Sequence, residues 1–254
     1  ECDQYLLLVV NDVHPYNVHG YKVDTTVETH LPLAERFPVQ DKDAPSVRLS
    51  NLKIYREQYL DRMRQLDRNL GLLFSEIEQT FAEEEYLVNL YSDHGASVFG
   101  NTVGDSGDLT SATWMMRGAG VPEGVIANEL TSSVDIYPTL AHLCGFPVSN
   151  DIDGRLPAVF GGRERDAVYS SSQYPGQTYK LAVRTHDYAL RLETQGFTEK
   201  DGTVDFAGAQ VQLYPRGHEL EDGYAVDSAE LRRFFYPRAR EFVREIANNG
   251  EVFA

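Results

Sequence analysis

A carboxylate and an imidazole stand side by side in Ser92-Asp93-His94-Gly95, directly after the apolar run Tyr86–Tyr91. In open parallel sheets, ligands bind at the carboxyl ends of strands, where loops diverge and helix N-termini point inward. An adjacent Asp and His there can both reach one divalent cation, and Gly95 permits a sharp backbone turn beside them. The alternative is a strand-end turn in which Asp93 caps a helix and His94 is solvated. The tetrapeptide alone does not decide between the two.

A second imidazole, His14, stands in the segment 11–16, just after the apolar run Tyr5–Val10. If Tyr5–Val10 and Tyr86–Tyr91 are neighbouring strands, His14 opens onto the same sheet edge as the Asp-His pair. Two imidazoles and a carboxylate in one crevice are typical of a hydrolytic metal site. The alternative, in which His14 only bonds to a loop carbonyl, stays open at this point.

The other histidines are less informative. His19 and His30 lie in the long polar segment that follows His14 and could join the site. His142 falls in an apolar helical pattern, which favours a structural role, and nothing in the sequence places His186 or His218 near a substrate. The motifs of a nucleophile elbow (G-x-S-x-G), a phosphate loop (G-x-x-x-x-G-K-[ST]) and a zinc helix (H-E-x-x-H) are all missing from the sequence.

Hydrophobic periodicity predicts the elements that must position these residues. Short continuous apolar runs, as in Tyr5–Val10 and Tyr86–Tyr91, are typical of strands buried on both faces of a parallel sheet. Between them a helix is predicted, because apolar residues recur at three- and four-residue steps: Tyr59, Met63, Leu66, Leu70, Leu73, Phe74 and Ile77. Strand, helix and strand form a β-α-β unit with parallel strands. A third strand is expected over Thr113–Arg117, and a helix over Ser133–Leu143 that stops at Gly145.

From Ala167 onward, apolar and polar residues alternate, which predicts an antiparallel, half-solvated sheet. Its expected strands are Ala167–Ser171, Lys180–Thr185, Tyr188–Glu193 and Val211–Tyr214, followed by an amphipathic helix that uses Leu231, Phe234, Phe235, Phe242, Val243 and Ile246. A Gly/Pro-rich stretch over 154–163 marks the predicted boundary between a first domain, 1–160, and a C-terminal subdomain, 161–254.

Composition excludes several classes of protein. With 254 residues, 42% of them hydrophobic, the chain can bury a sizeable core and is not a disordered or disulfide-dense sequence. No apolar run approaches the roughly 20 residues of a membrane span. The net charge of −16 makes nucleic acid and anionic lipid poor partners. Cys2 and Cys144 show no metal or redox spacing, so the compartment stays open.

Six motifs occur in a characteristic order: 12–16 (Asp-Val-His-Pro-Tyr), the helix 59–73, 91–95 (Tyr-Ser-Asp-His-Gly), 116–122 (Met-Arg-Gly-Ala-Gly-Val-Pro), 134–140 (Val-Asp-Ile-Tyr-Pro-Thr-Leu) and 153–155 (Asp-Gly-Arg). Over about residues 5–160 this order resembles the second half of a sulfatase, in the alkaline phosphatase superfamily. The resemblance implies an α/β fold: a partial alkaline-phosphatase-like parallel sheet flanked by helices, with a small antiparallel-sheet subdomain and a terminal helix after it.

The resemblance also implies a metal-dependent hydrolysis of sulfuric esters. Asp93 and His94 match the family's later metal-binding pair, so both are expected metal ligands, with Ca²⁺ as the expected ion and Mg²⁺ or Mn²⁺ as alternatives. His14 matches the loop histidine that contacts the sulfate group or the leaving oxygen, so it is the expected catalytic and substrate-binding residue. A metal and hydrogen-bond donors neutralise charge on the transferring sulfuryl oxygens while an acid protonates the leaving alcohol.

The sequence departs from the family's pattern in three ways. Neither Cys2 nor Cys144 lies in the C/S-x-P-x-R stretch that supplies the nucleophile, so this chain has no nucleophile. The family's first metal-binding Asp pair is missing. The family's substrate-contacting Lys has no counterpart either, because no Lys or Arg occurs between Gly95 and Met116.

These departures predict a C-terminal portion of a sulfatase that is inactive alone and acts, when complete, on a small sulfated ester. The alternatives are a phosphate or phosphonate ester hydrolase of the same superfamily, or a non-catalytic remnant with a binding role. A sheet that lacks strands exposes an apolar edge, so self-association is also expected.

Overall fold

The computed structural model describes residues 52–95, 110–218, 222–244 and 246. These residues fall into two units. The first comprises 52–91 and 114–123, and the second comprises 92–95, 110–113 and the described residues from 124 onward. The predicted strand Tyr5–Val10 and the histidines His14, His19 and His30 lie outside the described residues.

The first unit consists of a long helix and two strands. Helix α1 spans Leu52–Thr80, strand β1 spans Leu87–Tyr91 and strand β2 spans Trp114–Gly118. The predicted helix is confirmed, and its partly buried positions keep the expected spacing: Leu66, Leu70, Leu73, Phe74 and Ile77. The predicted third strand is confirmed as well, shifted by one residue.

Strands β1 and β2 are antiparallel, with Leu87 opposite Gly118 and Tyr91 opposite Trp114. Across the pair, the Trp114 indole N–H donates to the Asn89 side-chain oxygen at 2.7 Å. Gly118 has a φ of +108°, and a Cβ there would lie 2.1 Å from the Tyr86 carbonyl oxygen. A side chain therefore cannot be accommodated at this position, where β2 ends.

The predicted parallel sheet needs a correction in the described residues, because both sheets found there are antiparallel. The chain leaves β1 at Ser92 and enters β2 from Thr113, and these two residues are hydrogen-bonded to each other. Two strands whose adjoining ends meet in this way must run in opposite directions. The parallel partner predicted for β1 is Tyr5–Val10, and that pairing stays a prediction. The expected mixed α/β class is confirmed.

The second unit contains the predicted helix after residue 133. A 3₁₀ turn over Ser133–Asp135 leads into helix α2, Ile136–Cys144. The helix ends at Gly145, whose φ of +74° is left-handed and whose N–H donates to carbonyls of the last turn. The predicted stop at Gly145 is confirmed.

The predicted antiparallel sheet and terminal helix are also confirmed. Strands β3 (Val168–Ser172), β4 (Thr178–Arg184), β5 (Tyr188–Phe197) and β6 (Gln210–Pro215) form a four-stranded antiparallel sheet in sequential order, and helix α3 (Ala229–Val243) comes after them. The sheet and the helix share one hydrophobic core, built from Ala167, Tyr179, Leu181, Val183, Leu190, Leu192, Val204, Phe206, Leu213, Phe235, Ala239 and Val243. Helices in the described residues are not long and apolar enough to cross a membrane.

A buried carboxylate links the start of α2 to the start of the sheet. Asp135 is only 2% exposed. It accepts hydrogen bonds from the backbone N–H of Ser132 (2.9 Å) and of Arg155 (2.8 Å). The Arg165 guanidinium donates to both of its oxygens, with Nε at 2.9 Å, and also donates to the Asp153 carbonyl at 3.1 Å. One side chain thus joins three segments that lie up to 30 residues apart.

This arrangement predicts a large loss of stability when Asp135 is replaced by Ala, because the replacement leaves the largely buried Arg165 guanidinium without its charged partner. We expect the free energy of unfolding to fall by about 3–5 kcal/mol, measured by urea denaturation with far-UV circular dichroism.

The control is Asp166→Ala, which removes a more exposed carboxylate that pairs with Arg238. The hydrogen bond from Arg238 keeps the pKa of Asp166 below its usual value. Exposed ion pairs contribute about 0–1 kcal/mol, so the free energy of unfolding of this variant should be close to that of the unmodified chain. Equal losses in the free energy of unfolding for the two variants would show that the Asp135–Arg165 pair contributes no more than an exposed ion pair.

Candidate metal-binding turn

The Asp-His pair lies on a short turn, Ser92–Gly95, that directly follows β1. The Ser92 N–H donates to the Thr113 carbonyl at 3.0 Å, and the Thr113 N–H donates to the Ser92 hydroxyl oxygen at 2.8 Å. The turn is therefore fastened at its first residue to the residue that directly precedes β2.

Within the turn, the side chains of Asp93 and His94 face each other. The His94 backbone N–H donates to Asp93 Oδ1 at 2.9 Å, and His94 Nε2 lies 3.4 Å from Asp93 Oδ2. Both side chains are open to solvent, Asp93 at 84% and His94 at 57% exposure. The chemistry of the pair is therefore accessible from outside the turn.

The third contact in the turn fixes the identity of the imidazole nitrogens. His94 Nδ1 lies 2.6 Å from the Gly95 carbonyl oxygen. Because a carbonyl only accepts hydrogen bonds, Nδ1 is the nitrogen that carries the proton in this contact. With Nδ1–H donating to the carbonyl, Nε2 is the nitrogen that can bind an ion, and it lies 3.4 Å from Asp93 Oδ2. A histidine whose Nδ1–H is held by a backbone carbonyl is a recurrent arrangement for metal ligands.

The pair fits a divalent ion as two of its ligands. Metal–nitrogen and metal–oxygen bonds are about 2.0–2.6 Å long, so two donor atoms 3.4 Å apart can share one ion. The Asp93 carboxylate is a ligand that Ca²⁺, Mg²⁺ and Mn²⁺ all accept, whereas the imidazole nitrogen is less usual for Ca²⁺. Within the described ranges, three or more His, Cys, Asp or Glu side chains do not cluster into a metal site. Since these ions take six or more ligands, further donors must complete the coordination.

The other described histidines lie away from the turn in the sequence. His142 is exposed in the last turn of α2, where a basic side chain is favourable, and its structural role stays a prediction. His186, between β4 and β5, has its Nε2 3.5 Å from Glu164 Oε1, and both side chains are exposed. His218 stacks on Tyr224 with ring centres 4.1 Å apart.

The contact between Ser92 and Thr113 is the feature of the turn that the sequence analysis missed. Ser92 belongs to the tetrapeptide that the sequence singles out, but its partner Thr113 lies 21 positions away. Only the antiparallel pairing of β1 with β2 brings the two together. A small hydroxyl residue at a strand end is a weak signal of such a contact, because Ser also favours turns for purely local reasons.

Comparison with known proteins identifies the family. The family model described as "Sulfatase" matches residues 3–146, more than half of the chain. This chain therefore belongs to the sulfatase family, and the predicted membership is confirmed. Human arylsulfatase A is 32% identical over 163 residues, which cover 57% of this chain and 32% of that protein.

Two further relatives agree. The dog N-acetylgalactosamine-6-sulfatase is 27% identical over 180 residues, covering 61% of this chain and 33% of that protein. A putative extracellular sulfatase Sulf-1 homolog from Caenorhabditis elegans is 30% identical over 118 residues, which cover 43% of this chain and 16% of that protein. This chain thus spans about a third or less of the length of the relatives it matches. The roles of Asp93, His94 and His14 stay predictions.

The geometry of the turn predicts that Asp93→Ala weakens the binding of a divalent ion. We expect the dissociation constant for Mn²⁺, measured by electron paramagnetic resonance with titrated chain, to rise about tenfold or more because one of two donor atoms is lost.

A matched control is available in His186→Ala, since His186 also faces a carboxylate at 3.5 Å but lies outside the turn. This variant should bind Mn²⁺ as the unmodified chain does. An unchanged dissociation constant for Asp93→Ala would show that the turn does not belong to the metal site.

Proposed function

We propose that this chain is the C-terminal portion of a sulfatase that hydrolyses a sulfuric ester with the help of a divalent metal ion. The observation that supports the proposal best is the Ser92–Gly95 turn, in which a carboxylate oxygen and an imidazole Nε2 lie 3.4 Å apart. The turn falls within the part of the chain that the sulfatase family model matches.

In this proposal, each residue of the chain has a limited task. Asp93 supplies a negative oxygen ligand and His94 supplies a neutral nitrogen ligand through Nε2. The bound ion would neutralise charge on the sulfuryl oxygens. His14, which lies outside the described residues, is assigned to the sulfate group or the leaving oxygen, where an imidazolium can give a proton to the leaving alcohol.

The proposed activity belongs to a protein that also contains the nucleophile. The C/S-x-P-x-R stretch and the first metal-binding Asp pair do not occur in this sequence. We therefore propose that the chain is inactive alone and contributes only part of the metal site. The names of the relatives cover an arylsulfatase and a sulfatase of an amino sugar. A small sulfate ester is accordingly the proposed substrate class.

A second candidate function is hydrolysis of a phosphate or phosphonate ester. The observation that favours it is the lack of any Lys or Arg between Gly95 and Met116, where a sulfatase usually places a substrate-contacting Lys. A third candidate, a non-catalytic remnant with a binding role, needs no nucleophile at all. The three candidates differ in what the complete protein hydrolyses.

The proposal predicts that the protein encoded by the complete reading frame hydrolyses an aryl sulfate faster than the matching aryl phosphate. The Asp93→Ala variant should lower kcat/KM for the sulfate by about 100-fold or more, because charge on the transferring group loses its stabilisation. His186→Ala is the control and should keep full activity. Faster turnover of the phosphate supports the second candidate, and turnover of neither ester supports the third.

We also propose that the isolated chain associates with itself through its first unit. Large apolar side chains there are at least 45% exposed, and such patches favour association: Leu60, Leu72, Phe81, Tyr91 and Met115. The apolar stripe of α1 is also only partly buried, which adds to the apolar area that association could cover.

Light scattering over a range of concentrations tests the proposed association, with a mass above that of the monomer expected. Met115→Lys should shift the chain toward monomer, because a charge on β2 opposes association. Tyr174→Lys, at a similarly exposed position of the second unit, should not. A single monomeric species at every concentration contradicts this proposal.

A further inference from the structure

We infer that Ser92 is the residue that positions the Asp93–His94 pair for metal binding. The inference rests on the proposed function, because it assumes that the pair holds an ion. It goes beyond that proposal by assigning a role to a side chain that is not itself one of the proposed ligands.

The contact between Ser92 and Thr113 differs from an ordinary strand pairing. In a continuing antiparallel ladder, every second pair of opposite residues exchanges N–H to carbonyl hydrogen bonds in both directions. Here the Ser92 N–H does donate to the Thr113 carbonyl. In the other direction, however, the Thr113 N–H donates to the Ser92 hydroxyl at 2.8 Å. The side chain thus takes the place that a backbone carbonyl would have in a continuing strand.

This replacement of a carbonyl by a hydroxyl explains why the chain turns where it does. With the Thr113 N–H satisfied by the Ser92 hydroxyl, the Ser92 carbonyl is not needed as its acceptor, so the backbone can leave the extended conformation after Ser92. The contact between the Ser92 hydroxyl and the Thr113 N–H therefore both ends the pairing of β1 with β2 and starts the turn.

The contacts inside the turn do not attach it to the rest of the chain. The contacts of His94 with Asp93 Oδ1 and with the Gly95 carbonyl are all made between neighbours in the chain. They fix the two side chains relative to each other but give the turn no attachment to another segment. The described side-chain contact that does attach it is the one between Ser92 and Thr113. Loss of that contact leaves the Ser92 N–H bond to the Thr113 carbonyl as the remaining attachment and should loosen the position of the pair relative to any ligands supplied by other segments.

The experiment compares variants of the full chain with Mn²⁺ as the probe. Ser92→Ala should raise the dissociation constant about tenfold, the usual effect of removing a group that orients a ligand. Ser92→Thr keeps a hydroxyl and should restore affinity to within about threefold. Ser92→Val, which matches Thr in size, should behave like Ala. Thr185→Ala is the matched control, since Thr185 also accepts backbone N–H bonds at a strand end, from Asp187 and Tyr188.

A second measurement needs no metal. The ¹⁵N chemical shifts of the His94 imidazole report which ring nitrogen carries the proton. In the unmodified chain Nδ1 should carry it, as the Gly95 contact requires. In Ser92→Ala the shifts should move toward the average of a ring that exchanges between its two tautomers, while Thr185→Ala should leave them unchanged.

The outcomes separate the inference from the proposed function. If Asp93→Ala weakens Mn²⁺ binding but Ser92→Ala and Ser92→Val do not, the metal site stands and the role of Ser92 is overturned. If Asp93→Ala binds Mn²⁺ as the unmodified chain does, both fail. If Ser92→Ala does not fold, the comparison of Ser92→Thr with Ser92→Val decides, and equal affinities for these two overturn the inference.

Discussion

The second unit depends on the burial of one carboxylate. Asp135 is almost fully removed from solvent, and a charge in that position is tolerated only when it is paired and hydrogen-bonded. Its oxygens take two backbone N–H groups and the Arg165 guanidinium. These partners come from the turn before α2, from the Asp-Gly-Arg segment at 153–155 and from the residues just before β3. The requirement to satisfy Asp135 therefore brings these three segments together.

The same contact explains why the Asp-Gly-Arg segment needs its glycine. A Cβ at Gly154 would lie 2.1 Å from the Val134 carbonyl oxygen, so no side chain fits between Arg155 and the turn that carries Asp135. The sequence predicts a domain boundary at residues 160–161, and that boundary stays a prediction. The hydrogen bond between Asp135 and Arg165 joins residues on its two sides.

The family match ends at residue 146. Arg155 and Arg165 lie beyond that end, and their hydrogen bonds to Asp135 attach them to the matched part.

Sequence patterns predicted the elements of this chain better than the contacts between them. The spacing of apolar residues in α1, the alternation in β3 to β6 and the glycine at the end of α2 are local signals, because neighbouring residues in the chain produce them. The antiparallel pairing of β1 with β2, the bonds of Asp135 to Arg155 and Arg165, and the Ser92–Thr113 contact join residues about 20 to 30 positions apart. Periodicity carries no information about such pairs, so the orientation of β1 and β2 and the Ser92–Thr113 contact were missed.

For the candidate site, the sequence indicates residues of a type that binds metal ions but not the contacts that order their side chains. Two exposed donors compete with water for an ion, and the free energy gained from them is reduced by the cost of ordering their side chains. In this turn much of that ordering exists before an ion arrives, since Asp93 accepts from the His94 backbone and Gly95 orients the imidazole. A pair that is ordered in advance can contribute to a site whose remaining ligands come from another segment, provided that the turn itself is held in place. The Ser92–Thr113 contact meets that condition, and it does so at the residue where the pairing of β1 with β2 ends.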